Sequence, residues 1–222
     1  DSGPVPGFID IRLWDKTHDA AQSQTWIPAI VDTNGNGKPD AYVGPDDAVD
    51  PAKDKRVAGG GYDVSASPAD GTIWWAQSGT PGRLVRLSPG PNPPYTSLTE
   101  VYDVPPIEGA HTVRGGPELD RNGVAWVALG SGHMASFDRR KCKVTNGPAA
   151  ATGKLCPEGW QFYREPGPQF PNTTTGTDAH YLTWVDQADT LGLGVDVPMA
   201  TGNNSESILA RSEEHTSELQ SH

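Results

Sequence analysis

The chain has few basic residues and no long apolar run, and each of these features excludes a common class of protein. Its 222 residues include only 17 Lys and Arg against 28 Asp and Glu, which gives a formal net charge of −11. This excess of negative charge argues against a nucleic-acid backbone or an anionic membrane surface as the main partner. No apolar run approaches the roughly 18 residues of a membrane span, so the sequence predicts no transmembrane segment.

Cysteine is also scarce, with only Cys142 and Cys156, which enclose the 13 residues 143–155. Two cysteines are too few for the Cys/His set of a structural zinc site. Their spacing favours one loop-closing disulfide, which contributes up to about 3 kcal/mol in the chain-entropy account. Disulfides persist in oxidising compartments, so the pair predicts a periplasmic or extracellular location. Two unrelated buried thiols in a cytosolic protein are the alternative.

Glycine and proline, by contrast, are abundant, at 26 and 21 residues. They predict many turns and few long helices. The seven Trp and six Tyr indicate a packed core rather than disorder. The best helical segment is residues 15–24, with Asp15 as the expected N-cap, and it is expected to form a short insertion between strands near the N-terminus.

The strongest internal signal is a repeat of 52 residues, which relates Gly71 to Gly123, Trp74 to Trp126, and Ala76 to Ala128. Each unit has a strand, an Asp-Gly or Asn-Gly turn, a Trp-bearing strand, a Gly turn and a third strand. Asp-Gly and Asn-Gly fit two-residue hairpins because both central residues tolerate a positive φ. The apolar run 124–129 predicts a strand covered on both faces, whereas residues 83–87 alternate imperfectly, as in a more exposed strand.

An antiparallel unit that recurs every ~40–50 residues is typical of a β-propeller blade. Two similar hairpins in an ordinary sandwich are the alternative. The sequence therefore predicts an all-β fold, an incomplete β-propeller of about four blades over residues 1–210. Blade units are expected near residues 55–100 and 105–140, a weaker third copy near 180–185, and a long loop over 143–175.

The sharpest chemical motif is D-x-N-x-N-G-x-x-D, formed by Asp32, Asn34, Asn36, Lys38 and Asp40. Calcium takes six to eight oxygen ligands, and this loop offers side-chain oxygens together with the Lys38 carbonyl. The pattern resembles EF-hand-like calcium loops, including those inside integrin-type FG-GAP propeller repeats.

The loop departs from the full EF-hand pattern at position 12. Position 12 of the loop is Val43 rather than the bidentate Glu, and Asp46 and Asp47 are the nearest substitutes. We therefore expect weak binding, suited to extracellular calcium. A turn held by its own Asx hydrogen bonds is the alternative.

Signals for catalysis are sparse. His111 and His180 are the candidate general bases, since histidine titrates near neutral pH. His133 lies in a predicted strand and is expected to be a packing residue. The polar aromatic mix of Trp74, Trp75 and Trp160 could line a carbohydrate-binding surface, although core packing is the better explanation for Trp74.

Both ends of the sequence are expected to be cut. Residues 211–222 resemble the conceptual translation of a short-read sequencing adapter, and we expect them to be an artefact. A genuine polar helix is the alternative. The remainder is expected to be a fragment of a longer bacterial protein from an assembled metagenomic read.

The segments 120–128 and 134–138 resemble the blade motif of the streptogramin (virginiamycin B) lyase-like family. Residues 137–142 and 156–160 are similar to secreted bacterial proteins of this type, some of them labelled carboxypeptidase regulatory-like. The resemblance implies a propeller, and for true lyases a channel histidine with Mg²⁺ held by a glutamate, which open a cyclic depsipeptide by elimination. Tyr62 and Arg114 stand at the equivalent starts of the inner strands.

The leading hypothesis is a secreted or periplasmic β-propeller module for binding or scaffolding, stabilised by the disulfide and by Ca²⁺ at the 32–40 loop. Its expected partner is a small molecule, a peptide or a carbohydrate, and not a nucleic acid. A Mg²⁺-dependent lyase with His111 or His180 as its base is the alternative, and a calcium-dependent lactonase is a weaker one.

Overall fold

Strands dominate the computed structural model, which describes residues 5–106, 112–174, 176–177 and 181–212. The strands are β1 (Gly7–Ile9), β2 (Gln24–Trp26), β3 (Ile30–Asp32), β4 (Asp54–Arg56), β5 (Tyr62–Ala66), β6 (Ile73–Gln77), β7 (Arg83–Ser88), β8 (Leu98–Asp103), β9 (Glu118–Leu119), β10 (Ala125–Leu129), β11 (His133–Phe137), β12 (Trp160–Arg164), β13 (Thr183–Asp186), β14 (Val197–Thr201) and β15 (Ile208–Ala210). The prediction of a mainly β fold is confirmed.

Within this described part, the strands form antiparallel sheets that follow the chain order. Two hairpins, β1–β2 and β3–β4, precede the four-stranded sheets β5–β6–β7–β8 and β9–β10–β11–β12 and the three-stranded sheet β13–β14–β15. We refer to these last three as the first, second and third sheets. Strand β12 lies inside residues 143–175, where the sequence predicted a long loop. Residues 183–185 of the predicted third copy lie in β13, the first strand of the third sheet. Trp184 therefore does not take the position of Trp74 and Trp126, which lie on the second strands of their sheets.

The helical segment is an insertion between β1 and β2, as predicted, but its limits and caps differ. Helix α1 (Ile11–Thr17) begins after Asp10, whose carboxylate accepts from the Leu13 amide at 3.0 Å. It ends at Thr17 with His18 as the C-cap, and Asp19 then caps the short helix α2 (Ala20–Ser23). The prediction of Asp15 as the cap was wrong because the helix starts earlier. None of the described helices is long and apolar enough to cross a membrane.

The turns of the repeat are also longer than predicted. Residues 67–72 connect β5 to β6, and residues 120–124 connect β9 to β10, so neither is a two-residue hairpin. Only the glycines take a positive φ, +69° at Gly71 and +77° at Gly123. The preceding Asp70 and Asn122 keep a negative φ because the longer loop needs just one left-handed residue.

The main core lies between the first and second sheets. Trp74 on β6 stacks on Tyr102 of β8, and Phe137 of β11 lies 4.3 Å from the Tyr102 ring, centroid to centroid. Strand β10 is buried along most of its length, as predicted. Strand β7 is buried as well, contrary to the expectation of an exposed strand, because its Arg86 pairs with the carboxylates of Asp70 and Glu100.

Candidate functional site

The first strands of the three sheets lie side by side, since β5 contacts β9 and β9 contacts β13. Tyr62 begins β5, Arg114 precedes β9, and Tyr181 precedes β13. The rings of Tyr62 and Tyr181 meet edge to face with centroids 5.3 Å apart. The Arg114 guanidinium carbon lies 5.7 Å from the centre of the Tyr181 ring, within the range of a cation–π contact. We refer to these three residues as the Tyr–Arg cluster.

The side chains of the Tyr–Arg cluster contact one another and also remain accessible to solvent. Tyr62 and Tyr181 remain 38% and 39% exposed although their rings are in contact. A hydrogen bond with Tyr181 raises the pKa of Tyr62, so this phenol keeps its proton at neutral pH. The arrangement therefore presents two aromatic faces and their hydroxyl groups beside the guanidinium of Arg114.

Two glycines allow the three segments to approach each other. A Cβ on Gly115 would collide with the Tyr181 carbonyl oxygen, and a Cβ on Gly116 would collide with the Asp63 side chain. The Gly-Gly pair thus brings the backbone that follows Arg114 against β5 on one side and the start of the third sheet on the other. Larger residues at either position would push the cluster apart.

An acidic group lies next to this junction. Glu118, the first residue of β9, accepts a hydrogen bond from the Ser65 hydroxyl at 3.4 Å. Burial raises the pKa of Glu118, and the negative charge of Asp63 adds to that effect. Asp63 has a φ of +57°, and its carboxylate accepts from the Val64 amide at 2.8 Å. These two acids make the junction polar.

The histidines divide into two groups. His111 and His180, the predicted general bases, lie outside the described residues. His133 is buried in β11 with its Nδ1 3.1 Å from the Ser131 hydroxyl, in line with the packing role predicted for it. His18 is the C-cap of α1 and packs edge to face on Trp14.

The predicted calcium loop, residues 32–40, is closed by its own polar side chains. The two carboxylate oxygens of Asp32 accept from the amides of Gly35 and Gly37, each at 2.7 Å. The Asn34 and Asn36 side-chain oxygens accept from the amides of Asn36 and Lys38, each at 3.0 Å. Both asparagines also donate to one oxygen of Asp40. All five residues predicted as metal ligands are thus in or beside one turn.

A further carboxylate, which the sequence analysis did not consider, joins this loop. Asp54 is the cross-strand partner of Asp32 in the β3–β4 hairpin, and its Oδ2 accepts from the Asp40 amide at 2.9 Å. Burial raises the pKa of Asp54, and the nearby charges of Asp40 and Asp32 raise it further. The expected substitute Asp47 instead accepts from the Gly44 amide at 2.8 Å in a turn of its own.

Residues 5–106, 112–174, 176–177 and 181–212 contain no group of three or more His, Cys, Asp or Glu side chains that could hold a metal ion. A cation at the 32–40 loop would therefore need amide and backbone oxygens in addition to carboxylates. The chemistry of the loop suits that requirement because asparagine and carbonyl oxygens are ordinary calcium ligands.

The two cysteines lie at disulfide distance, with Cα atoms 5.0 Å apart. Cys142 follows the 3-10 turn Arg139–Lys141, and Cys156 precedes the 3-10 turn Pro157–Gly159. The segment between the two cysteines contacts the 32–40 loop, since the Gly147 amide donates to the Asp32 carbonyl at 3.0 Å.

The tryptophans considered for a carbohydrate surface are all in the interior. Trp74, Trp75 and Trp160 are 2%, 7% and 8% exposed, so they are core residues. The exposed aromatic groups at the junction of the sheets are the tyrosines. Tyr181 was not identified from the sequence because only the folded sheets bring it to Tyr62, more than a hundred residues away in the chain.

Comparisons of the chain with protein-family models, with curated proteins and with solved structures found no match.

Proposed function

We propose that this chain is part of a secreted β-propeller that acts as a binding module and takes its ligand at the Tyr–Arg cluster. The proposal rests on how three antiparallel sheets follow one another along the chain. Their first strands, β5, β9 and β13, are consecutive neighbours. In a propeller the first strand of each blade lines the central channel, where ligands bind.

The packing of the repeat supports the same architecture. Trp74 of the first sheet packs on Phe137 of the second sheet. Its repeat partner, Trp126 of the second sheet, packs against a cluster that includes Ala200 of the third sheet. Each Trp therefore belongs to the packing between its own sheet and the next sheet along the chain, which is the relation that radial repetition of blades requires. The disulfide pair supports an oxidising compartment.

The chemistry of the cluster favours a polar ligand with flat or hydroxylated groups. Tyrosine faces contact sugar rings and peptide planes, and their hydroxyl groups both donate and accept hydrogen bonds. Arg114 supplies donors without an acceptor, so it would hold a carboxylate or carbonyl oxygen of the same ligand.

The test is binding of the chain to an array of defined oligosaccharides and short peptides, compared with Tyr181→Ala. The matched control is Tyr95→Ala, which removes another exposed tyrosine, from the Tyr42–Tyr95 pair. We expect at least one ligand that binds the unchanged protein and the control with equal affinity. The same ligand should bind the Tyr181→Ala variant at least about tenfold more weakly. No ligand on the array, or ligands indifferent to Tyr181→Ala, would contradict the proposal.

A metal-dependent lyase is the second candidate, because Glu118 stands at the same junction and offers one half of the His and Glu pair that such an enzyme needs. Incubation with a streptogramin B and Mg²⁺ tests it, with mass spectrometry of the ring as the readout. Ring opening that Glu118→Gln abolishes would favour the lyase. A ring that stays closed would remove this candidate and leave the binding module. A lactone incubated with Ca²⁺ tests the weaker lactonase alternative in the same way.

A further inference from the structure

We propose that Asp54 completes a Ca²⁺ site with the 32–40 loop, so that one cation joins both strands of the β3–β4 hairpin. The site is distinct from the Tyr–Arg cluster and does not depend on the proposed function. It differs from the EF-hand pattern because its last carboxylate comes from a neighbouring strand and not from position 12 of the loop.

The first reason is an oxygen without a partner. Asp54 is only 3% exposed, and its Oδ1 is buried without any hydrogen-bond donor. The other oxygen of the same carboxylate is bound to the Asp40 amide, so the group is held against the loop. A buried carboxylate oxygen that lacks a donor is costly, and a bound cation would satisfy it.

The second reason is uncompensated charge. Asp32 and Asp54 are cross-strand partners and are 2% and 3% exposed, so two buried acids stand side by side. The cations of β4 do not neutralise them: Lys55 donates to the Ala151 carbonyl, and Arg56 donates to the carbonyls of Gly44 and Asp47. Like charges buried together are unfavourable unless a counter-ion is present.

The ligand chemistry selects the class of cation. The available groups are the two buried carboxylates of Asp32 and Asp54, the amide oxygens of Asn34 and Asn36, and the Lys38 carbonyl. All are hard oxygen ligands, and neither sulfur nor imidazole is among them, which disfavours zinc and copper. A loop of mixed carboxylate, amide and carbonyl oxygens suits the irregular coordination of Ca²⁺ better than the strict octahedron of Mg²⁺.

The position of the site gives the cation a structural role. The Asp32 carbonyl accepts from the Gly147 amide at 3.0 Å, inside the segment closed by Cys142 and Cys156. Strand β3 also contacts β8, the last strand of the first sheet. A cation that fixes the loop would therefore hold the hairpin against both the disulfide segment and the first sheet.

The experiment is calorimetric titration of the chelator-treated chain with CaCl₂, and then with MgCl₂, combined with thermal unfolding. We expect one Ca²⁺ per chain with a Kd of about 0.1–1 mM, weaker Mg²⁺ binding, and a higher Tm in calcium. Asp54→Asn keeps the shape of the side chain and its acceptor for the Asp40 amide. It should weaken Ca²⁺ binding roughly tenfold or more.

The control variant is Asp47→Asn, which lies in the same connection but outside the proposed ligand set. It should bind Ca²⁺ like the unchanged chain. In calcium-free buffer Asp54→Asn should unfold at the same or a higher temperature than the unchanged chain, because it removes a buried repulsion. No calcium binding at about 10 mM would overturn the site. Equal calcium affinity of Asp54→Asn and the unchanged chain would overturn the role of Asp54.

Discussion

The first and second sheets each contain a row of cross-strand partners that begins at the repeated Trp. The other residues of the two rows differ in charge. One row joins Trp74, Arg86 and Glu100 across β6, β7 and β8, and the equivalent row joins Trp126, Ser136 and Gln161 across β10, β11 and β12. The first row contains the buried Arg86 and the partly buried Glu100, whereas the second row is neutral and ends at an exposed residue. The repeat therefore fixes the position of the Trp but not of its partners.

The aromatic stacks show the same contrast. Trp74 and Tyr102 stack with ring centroids 6.2 Å apart, and Trp126 and Tyr163 stack at 5.7 Å. Trp74 is almost fully buried, while Trp126 is only partly buried. The difference comes from the next sheet. Phe137 of the second sheet packs on both rings of the first stack. In the second stack, Trp126 packs against a cluster of Ala128, Met134 and Ala200, and the Arg211 guanidinium carbon lies 3.7 Å from the centre of the Tyr163 ring. The repeat specifies each stack, and its neighbour decides how deeply the stack is buried.

The largest expected effect separates the two tryptophans. Trp74→Ala should lower the free energy of unfolding by about 3–5 kcal/mol because it empties a fully packed position. Trp126→Ala should cost about 1–2 kcal/mol because part of that ring already meets solvent. Urea unfolding of both variants, followed by circular dichroism, measures the difference. Equal losses would mean that the two stacks contribute alike and that burial by the next sheet does not matter.

The charged row gives the next effect. Glu100 bonds Arg86, Arg139 and the Tyr102 hydroxyl, and its side chain is 12% exposed. Glu100→Gln removes the carboxylate that pairs with Arg139 and one of the two that pair with Arg86, and it should cost about 3 kcal/mol. The equivalent change in the second sheet, Gln161→Ala, lies at an exposed position and should cost less than about 0.5 kcal/mol. Thermal unfolding of both variants is the measurement, and a loss at Gln161 as large as that at Glu100 would refute the contrast.

The smallest effect concerns pH and the residue before the turn glycine, which is Asp70 in one unit and Asn122 in the other. Burial alone would raise the pKa of Asp70, but hydrogen bonds from Thr72, Ser67 and Arg86 outweigh it and hold that pKa well below its usual value. A lowered pKa contributes stability above the unfolded-state value of 3.8, and this contribution is lost as the pH falls below that value.

Asp70→Asn should therefore be less stable than the unchanged chain at pH 7, and the two should converge as the pH falls below about 4. The Asp70 side chain is 48% exposed, so the difference at pH 7 should stay below about 1 kcal/mol. Melting temperatures at several values of pH between 3 and 7 measure it. A difference that does not change with pH would show that the carboxylate acts through shape and not through charge.

Individual elements show how far sequence reasoning reached. The apolar run that became β10 was predicted with its burial, because a continuous apolar stretch has few alternatives. The burial of β7 was not predicted. An arginine in a strand indicates an exposed position unless its carboxylate partners are known. The polar residues of the 32–40 loop were found as a local motif, whereas Asp54 was not, since it meets Asp40 only through the pairing of β3 with β4.

The amino-acid sequence alone determined the repeat, the Trp-bearing strands, the glycines of the turns and the pairing of the only two cysteines. These features depend on local spacing and composition, which a linear pattern records. The tertiary structure decided which Trp is buried, that Arg86 is neutralised in the interior, and that Tyr62, Arg114 and Tyr181 share one surface. Those outcomes depend on contacts between segments far apart in the chain, and such contacts exist only after the sheets have packed.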